Sequence, residues 1–75
     1  MKVLVLGAGY VGGEVARQAL ERRDEVVLAD NWYATDREQV AGLDARVETV
    51  DIRDGSAVES LLGEGFDRLV FLAAQ

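Results

Sequence analysis

The sequence predicts an α/β fold: three layers, with a four-stranded parallel sheet in the order 3-2-1-4 and helices on both faces. Three observations carry this expectation. Short Val- and Leu-rich runs at Lys2 to Leu6, Glu25 to Asp30 and Leu69 to Ala73 read as strands, the first of them as one buried on both faces. Segments with helical spacing of apolar residues lie between the runs. A glycine cluster stands at the first strand-to-helix junction, where a doubly wound sheet needs a tight turn.

Taken in order, the first strand, Lys2 to Leu6, ends at this cluster. From Gly12 to Arg23 the apolar residues Val11, Val15, Ala16, Ala19 and Leu20 recur at three and four, with Glu14, Arg17, Gln18 and Glu21 opposite. That pattern predicts an amphipathic helix, with Arg22 and Arg23 placed to complement the negative end of its dipole. Glu25 to Asp30 is the second strand and ends in an acid. Thr35 and Glu38 have capping-box spacing for a short helix ending near Gly42. Arg46 to Asp51 alternates and suits a strand at the sheet edge. Ser56 and Glu59 repeat the capping-box spacing and open a helix that places Val58, Leu61 and Leu62 in the core before Gly63. Leu69 to Ala73 is the fourth strand. Strands alternating with helices at this rhythm imply parallel crossovers, and all 75 residues read as one unit, β-α-β-α-β-α-β, without linker or repeat.

Composition narrows the function. Fourteen acidic residues against eight basic ones give a net charge of −6, which disfavours nucleic-acid backbones and anionic membrane surfaces. The chain has no Cys and no His, so thiol nucleophiles, disulfides, Cys/His zinc sites and imidazole bases are excluded. No apolar stretch approaches the roughly 20 residues of a membrane span. A soluble, cytoplasmic protein is expected.

Gly7, Gly9 and Gly12 form G-x-G-x-x-G. The pattern alone is weak, and its context strengthens it: it follows a predicted strand, opens a predicted helix and is answered by Asp30 at the end of the next strand. Gly7 permits the tight turn, Gly9 lets a pyrophosphate approach the backbone, and Gly12 allows the helix to pack closely. Amides near Tyr10 and Val11 would then face phosphate, assisted by the helix dipole. Backbone donors of this kind reconcile anion binding with an acidic chain. Asp30 is suited to accept from both hydroxyls of an adenosine ribose and to repel a 2′-phosphate, so NAD is favoured over NADP. Arg37 argues the other way, but it lies seven residues beyond the strand-end acid. The sequence thus predicts a partial NAD(P)-binding domain of Rossmann-like type over residues 1–75, whose switch point lies between strands one and four. Gly9 and Ala73 are expected to face each other across the crevice there.

The stretches GAGYVG, VVLADN, VDIRD and FDRLVFLAAQ, in this order and spacing, resemble the N-terminal cofactor-binding half of the NAD-dependent epimerase/dehydratase family, extended short-chain dehydrogenases acting on nucleotide sugars. The resemblance implies that Asp30 holds the adenosine ribose with Asn31 nearby. It implies that Asp51 meets the adenine amino group and Ile52 its face. It also implies that Leu72, Ala73 and Ala74 run beside the pyrophosphate and nicotinamide ribose. Leu6 stands where the family usually has a further glycine, and Phe71 where a histidine is common. The family's Tyr-x-x-x-Lys pair has no counterpart: Tyr10 is followed four residues on by Glu14, Tyr33 by Arg37, and the sole lysine is Lys2. Arginine does not replace that lysine simply, because it cannot give up its proton. The expectation is therefore a cofactor-binding half without catalytic residues of its own.

A second reading is a regulatory nucleotide-sensing module of the kind that gates potassium transport, and a third is a minimal folded unit without useful activity. Trp32 and Tyr33 fit an adenine edge, or a cover for the sheet end or a partner surface, equally well. Asp51 with Asp54 is a weak candidate for a hard cation and reads better as two acids at element ends. Self-association is expected through the open edge of the fourth strand or an uncovered sheet face.

Overall fold

The computed structural model describes residues 1–31, 40 and 42–72. Within them the chain forms β1 (Lys2–Leu6), α1 (Gly9–Glu21), β2 (Glu25–Asp30), β3 (Arg46–Thr49), α2 (Gly55–Leu62) and β4 (Arg68–Phe71). The four strands make one sheet in the order β3-β2-β1-β4, and every pairing is parallel. The short helix expected from Thr35 falls almost wholly outside the described residues. Of its span, Val40 is described and buried.

The unbroken apolar runs are explained by what covers the two faces of the sheet. Val3 and Val5 of β1, with Val26 and Leu28 of β2, pack on one side with Ala16 and Ala19 of α1 and with Val40. The alternate residues, Leu4, Leu6, Val27 and Ala29, pack on the other side with Val50 and with Leu61 of α2, joined by Ala57, Val58 and Phe66. Full burial of each Val or Leu is worth roughly 1.5–3 kcal/mol. Neither face can therefore hold a polar residue without loss along Val3 to Leu6 or Val26 to Ala29. β3, at the sheet edge, has no fully buried residue: Val47 and Glu48 are half-buried and Arg46 and Thr49 are exposed.

Element ends differ from the sequence expectation in ways the geometry accounts for. α1 begins at Gly9 rather than Gly12, because the glycine loop itself supplies the first turn. It closes with Arg22 as C-cap, and Arg23 adopts a left-handed φ of 67°. The Arg23 N–H donates to the Leu20 carbonyl at 2.9 Å and the Asp24 N–H to the Ala19 carbonyl at 3.0 Å. This is a Schellman closure with arginine where glycine is usual. α2 is capped by Asp54, whose carboxylate accepts from the Ala57 N–H at 3.2 Å. The helix thus opens two residues before the expected Ser56 cap. In this register Leu61 is buried, whereas Leu62 is 41% exposed and is not a core residue. β3 stops at Thr49 because Asp51 to Asp54 forms a turn, with the Asp54 N–H on the Asp51 carbonyl at 2.8 Å. No helix among the described residues is long and apolar enough to cross a membrane.

At the opposite end of the sheet, Glu64 joins three elements. It accepts from both terminal nitrogens of Arg46, at 2.9 and 2.6 Å, and from Lys2 Nζ at 3.4 Å. Lys2 Nζ also lies 4.9 Å from the centroid of the Phe66 ring. These charges fix the return of the chain from α2 into β4, leaving the other end of the sheet for the site.

Candidate functional site

The carboxyl ends of the four strands lie along one edge, and three backbone bonds extend the pairing past the strands. The Leu72 N–H donates to the Leu6 carbonyl at 2.7 Å, the Gly7 N–H to the Ala29 carbonyl at 2.8 Å, and the Val50 N–H to the Asp30 carbonyl at 2.9 Å. In sheet order, the segments at this edge are the Asp51 turn, Asp30, the Gly7 loop and Leu72. All four belong to neighbouring strands, which is how distant motifs of the sequence become one row.

The glycine loop is shaped as its residue types require. Gly7 has φ 102° and Gly9 φ 45°, both in the left-handed region where a Cβ costs about 1–2 kcal/mol. Gly12 is buried, and a Cβ placed on it would stand 2.1 Å from the Gly7 carbonyl oxygen. The first turns of α1 therefore lie directly on the loop, closer than any side chain allows. The N-terminus of α1 has no side-chain cap, and its first turn has no acidic residue. The side chains of Tyr10 and Val11 are exposed, at 93% and 61%. A helix terminus with this local charge favours an anion.

Asp30, half-buried at the end of β2, accepts the Ala8 N–H at 2.8 Å through Oδ2. One carboxylate thus braces the glycine loop and stands at the strand end expected to meet a ribose. Asn31 follows it and is exposed.

Asp51 sits one residue past the bond from Val50 to β2. Its Oδ1 accepts the Arg53 backbone N–H at 2.9 Å, an Asx turn, and the Arg53 guanidinium grips the same carboxylate with Nη2 on Oδ2 at 2.8 Å. The Arg53 side chain, with its backbone N–H, lowers the Asp51 pKa from 3.8 to about 2. Ile52, in the same turn, is half-buried. Leu72 packs against the cluster on the α1 side. Ala73 and Ala74, expected to complete the row, lie outside the described residues, as do Trp32, Tyr33 and Arg37.

A shallow groove runs down α1 from the loop, lined by Gly9, Tyr10, Gly13, Glu14, Arg17 and Leu43. It includes neither Asp30 nor Asp51, so it borders the site and is not its centre. Within it Arg17, chiefly by hydrogen bonding and aided by Gln18, lowers the Glu14 pKa to about 2. No cluster of three metal-binding acids occurs among the described residues. Asp51 is held by Arg53, and Asp54 caps α2. Ala8 and Arg53 are the site residues that motif reading does not single out. The Asp-x-Arg spacing of the Asx turn was the available signal for Arg53.

A parallel sheet in the order 3-2-1-4, a glycine turn under the first helix and an acid at the end of the second strand define a Rossmann-like α/β protein. Comparison with known proteins narrows the class. The chain belongs to the NAD dependent epimerase/dehydratase family, whose model matches residues 3–75. It is 43% identical over 77 aligned positions to a UDP-glucose 4-epimerase of Corynebacterium glutamicum, covering 100% of this chain and 22% of the relative. Among solved structures it resembles the Bordetella bronchiseptica enzyme WbmH in complex with NAD+, with a TM-score of 0.89 and 32% identity over 99% of this chain and 26% of that one. It also resembles the Thermus thermophilus UDP-glucose 4-epimerase complex with NAD, with a TM-score of 0.83 and 35% identity over 100% of this chain and 24% of that one. The chain therefore spans about a quarter or less of the length of these proteins.

Proposed function

We propose that this chain binds NAD and forms the cofactor-holding part of a nucleotide-sugar epimerase/dehydratase-like oxidoreductase. In this reading the amides of Tyr10 and Val11 receive the pyrophosphate where Gly7, Gly9 and Gly12 leave the backbone bare. Asp30, with Asn31 beside it, accepts from the adenosine ribose hydroxyls. Asp51 takes the adenine amino group and Ile52 one face of the base. Leu72, Ala73 and Ala74 flank the pyrophosphate and the nicotinamide ribose.

The observation that carries the reading is the 2.8 Å bond from the Ala8 N–H to Asp30. It ties the ribose acceptor to the phosphate loop, so the spacing between the two recognition elements is set before a ligand arrives. Such preorganisation favours a ligand that joins a ribose to a pyrophosphate over one that carries only one of the two groups. The negative charge of Asp30 disfavours a 2′-phosphate, hence NAD over NADP. NAD, when bound, supplies a hydride acceptor. The residues described above hold and orient it, and the sequence contains no Tyr-x-x-x-Lys to move a proton beside it.

Calorimetric titration of the chain with NAD and NADP tests the proposal. Saturable binding with NAD preferred is expected. Absence of saturable binding of either at millimolar concentration overturns it.

A further inference from the structure

We infer that Arg53 is a positioning residue: its guanidinium clasps Asp51 so that the carboxylate keeps one acceptor position for the amino group of an adenine. The inference deepens the proposed NAD site and rests on the assignment of Asp51 to the base.

The geometry of the clasp is specific. Oδ1 of Asp51 accepts both the Arg53 backbone N–H at 2.9 Å and Nε at 3.1 Å. Oδ2 accepts Nη2 at 2.8 Å, with Nε a longer second arm at 3.3 Å. A carboxylate offers roughly four acceptor positions. Oδ1 is filled by the backbone N–H and the shorter arm of the shared Nε–H, whereas Oδ2 has Nη2 and only the longer arm of that same N–H, so among the described residues the remaining capacity lies on Oδ2. The turn also fixes the backbone, since the Asp54 N–H closes on the Asp51 carbonyl and Asp54 caps α2. Arg53 thus decides which carboxylate oxygen has capacity for another donor.

Charge alone does not explain the arrangement. The Arg53 side chain is 83% exposed, and an exposed ion pair is worth little in water. The fork of a guanidinium instead gives directional, bidentate contact that a lysine cannot reproduce. The ionised Asp51 carboxylate acts only as an acceptor. An adenine amino group donates to such an acceptor. A hypoxanthine carbonyl in the same place presents a second acceptor and is repelled.

The test measures the affinity of the 75-residue chain and its variants for NAD and for nicotinamide hypoxanthine dinucleotide, with circular dichroism confirming the fold. The wild-type chain should prefer NAD. Arg53→Ala should lower that preference about fivefold through NAD alone, the loss expected when charge-assisted bonds orienting an acceptor are removed. Arg53→Lys should give an intermediate value, and Asp51→Asn should abolish the preference. If Arg53→Ala weakens both dinucleotides equally, or leaves the preference unchanged, the positioning role is overturned while Asp51 keeps its assignment. If the wild-type chain shows no preference, the assignment of Asp51 falls and the inference with it, whereas NAD-over-NADP selectivity from Asp30 is judged separately.

Discussion

The carboxylate of Asp30 accepts the Ala8 N–H at 2.8 Å, so the end of β2 holds the glycine loop that leaves β1. Asp30 therefore has a structural task besides recognition, and two substitutions separate them. Asparagine keeps an acceptor oxygen and removes the charge, whereas alanine removes both. Asp30→Ala should lose about 1 kcal/mol in urea unfolding, the usual net worth of a hydrogen bond, and Asp30→Asn should lose much less. Both should weaken NAD binding more than NADP binding. An Asp30→Ala protein as stable as the wild type would show that the brace contributes nothing.

Gly12 and Gly13 are adjacent in sequence and opposite in what they tolerate. A Cβ on Gly12 would stand 2.1 Å from the Gly7 carbonyl oxygen, which is backbone and cannot swing aside. A Cβ on Gly13 meets Val40 Cγ1 at 3.6 Å, an ordinary contact. Gly12→Ala should therefore cost about 1–3 kcal/mol by overpacking. Gly13→Ala should gain about 0.5–1 kcal/mol from helix propensity. Thermal unfolding of both variants checks the pair, and equal effects would contradict it.

The cap of α2 makes a similar contrast. Asp54 accepts from the Ala57 N–H, so Asp54→Ala should destabilise the chain by about 1 kcal/mol. Ser56 lies inside the helix and is exposed, and Ser56→Ala should be within about 0.5 kcal/mol of neutral. Reversal of the two in denaturant unfolding would restore Ser56 as the cap.

This contrast also shows what the sequence could and could not reveal. The central strands β1 and β2 were legible because residues buried on both faces leave one simple signal. The glycine spacing was legible because backbone geometry permits few residue types there, and Asp30 because an acid at the end of the second strand belongs to the same pattern. Ser56 and Asp54 both satisfy the chemistry of a cap, and the choice was made by the Asp51 to Asp54 turn, a nonperiodic feature. The start of α1 at Gly9 was hidden for the same reason, since glycines contribute nothing to an apolar stripe. The bonds of Asp30 to Ala8 and Asp51 to Arg53 depend on rotamers and on chain approach, which spacing alone does not encode.

Glu64 gives the chain a predictable response to acid. Arg46, by hydrogen bonding, with smaller help from Lys2, lowers its pKa from 4.5 to about 2. Because the folded value is the lower one, the unfolded chain binds more protons between them. The stabilisation is present above 4.5 and is lost as pH falls towards 2. Urea midpoints should decline over that interval. Glu64→Gln should be weaker than the wild type at neutral pH, and the gap should close near pH 2 and narrow in high salt. A gap independent of pH would assign the loss to packing instead.

β4 ends the sheet, and its outer edge has no paired strand among the described residues. Its register with β1 places Leu69 beside Leu4 and Phe71 beside Leu6, on the face that α2 covers. α2 reaches the residues of β1 and β2, but Leu69 and Phe71 are left 49% and 59% exposed. An apolar stripe next to an unpaired strand edge favours association with another chain. The net charge of −6 opposes contact between two copies, and that opposition is screened by salt whereas apolar burial is not. Sedimentation should therefore show concentration-dependent self-association that strengthens as salt rises. Phe71→Glu should return the chain to monomer, because it removes apolar area and adds repulsion at the same point. A monomer at every concentration in high salt would rule out this edge as a contact, and association undiminished by Phe71→Glu would place the contact elsewhere.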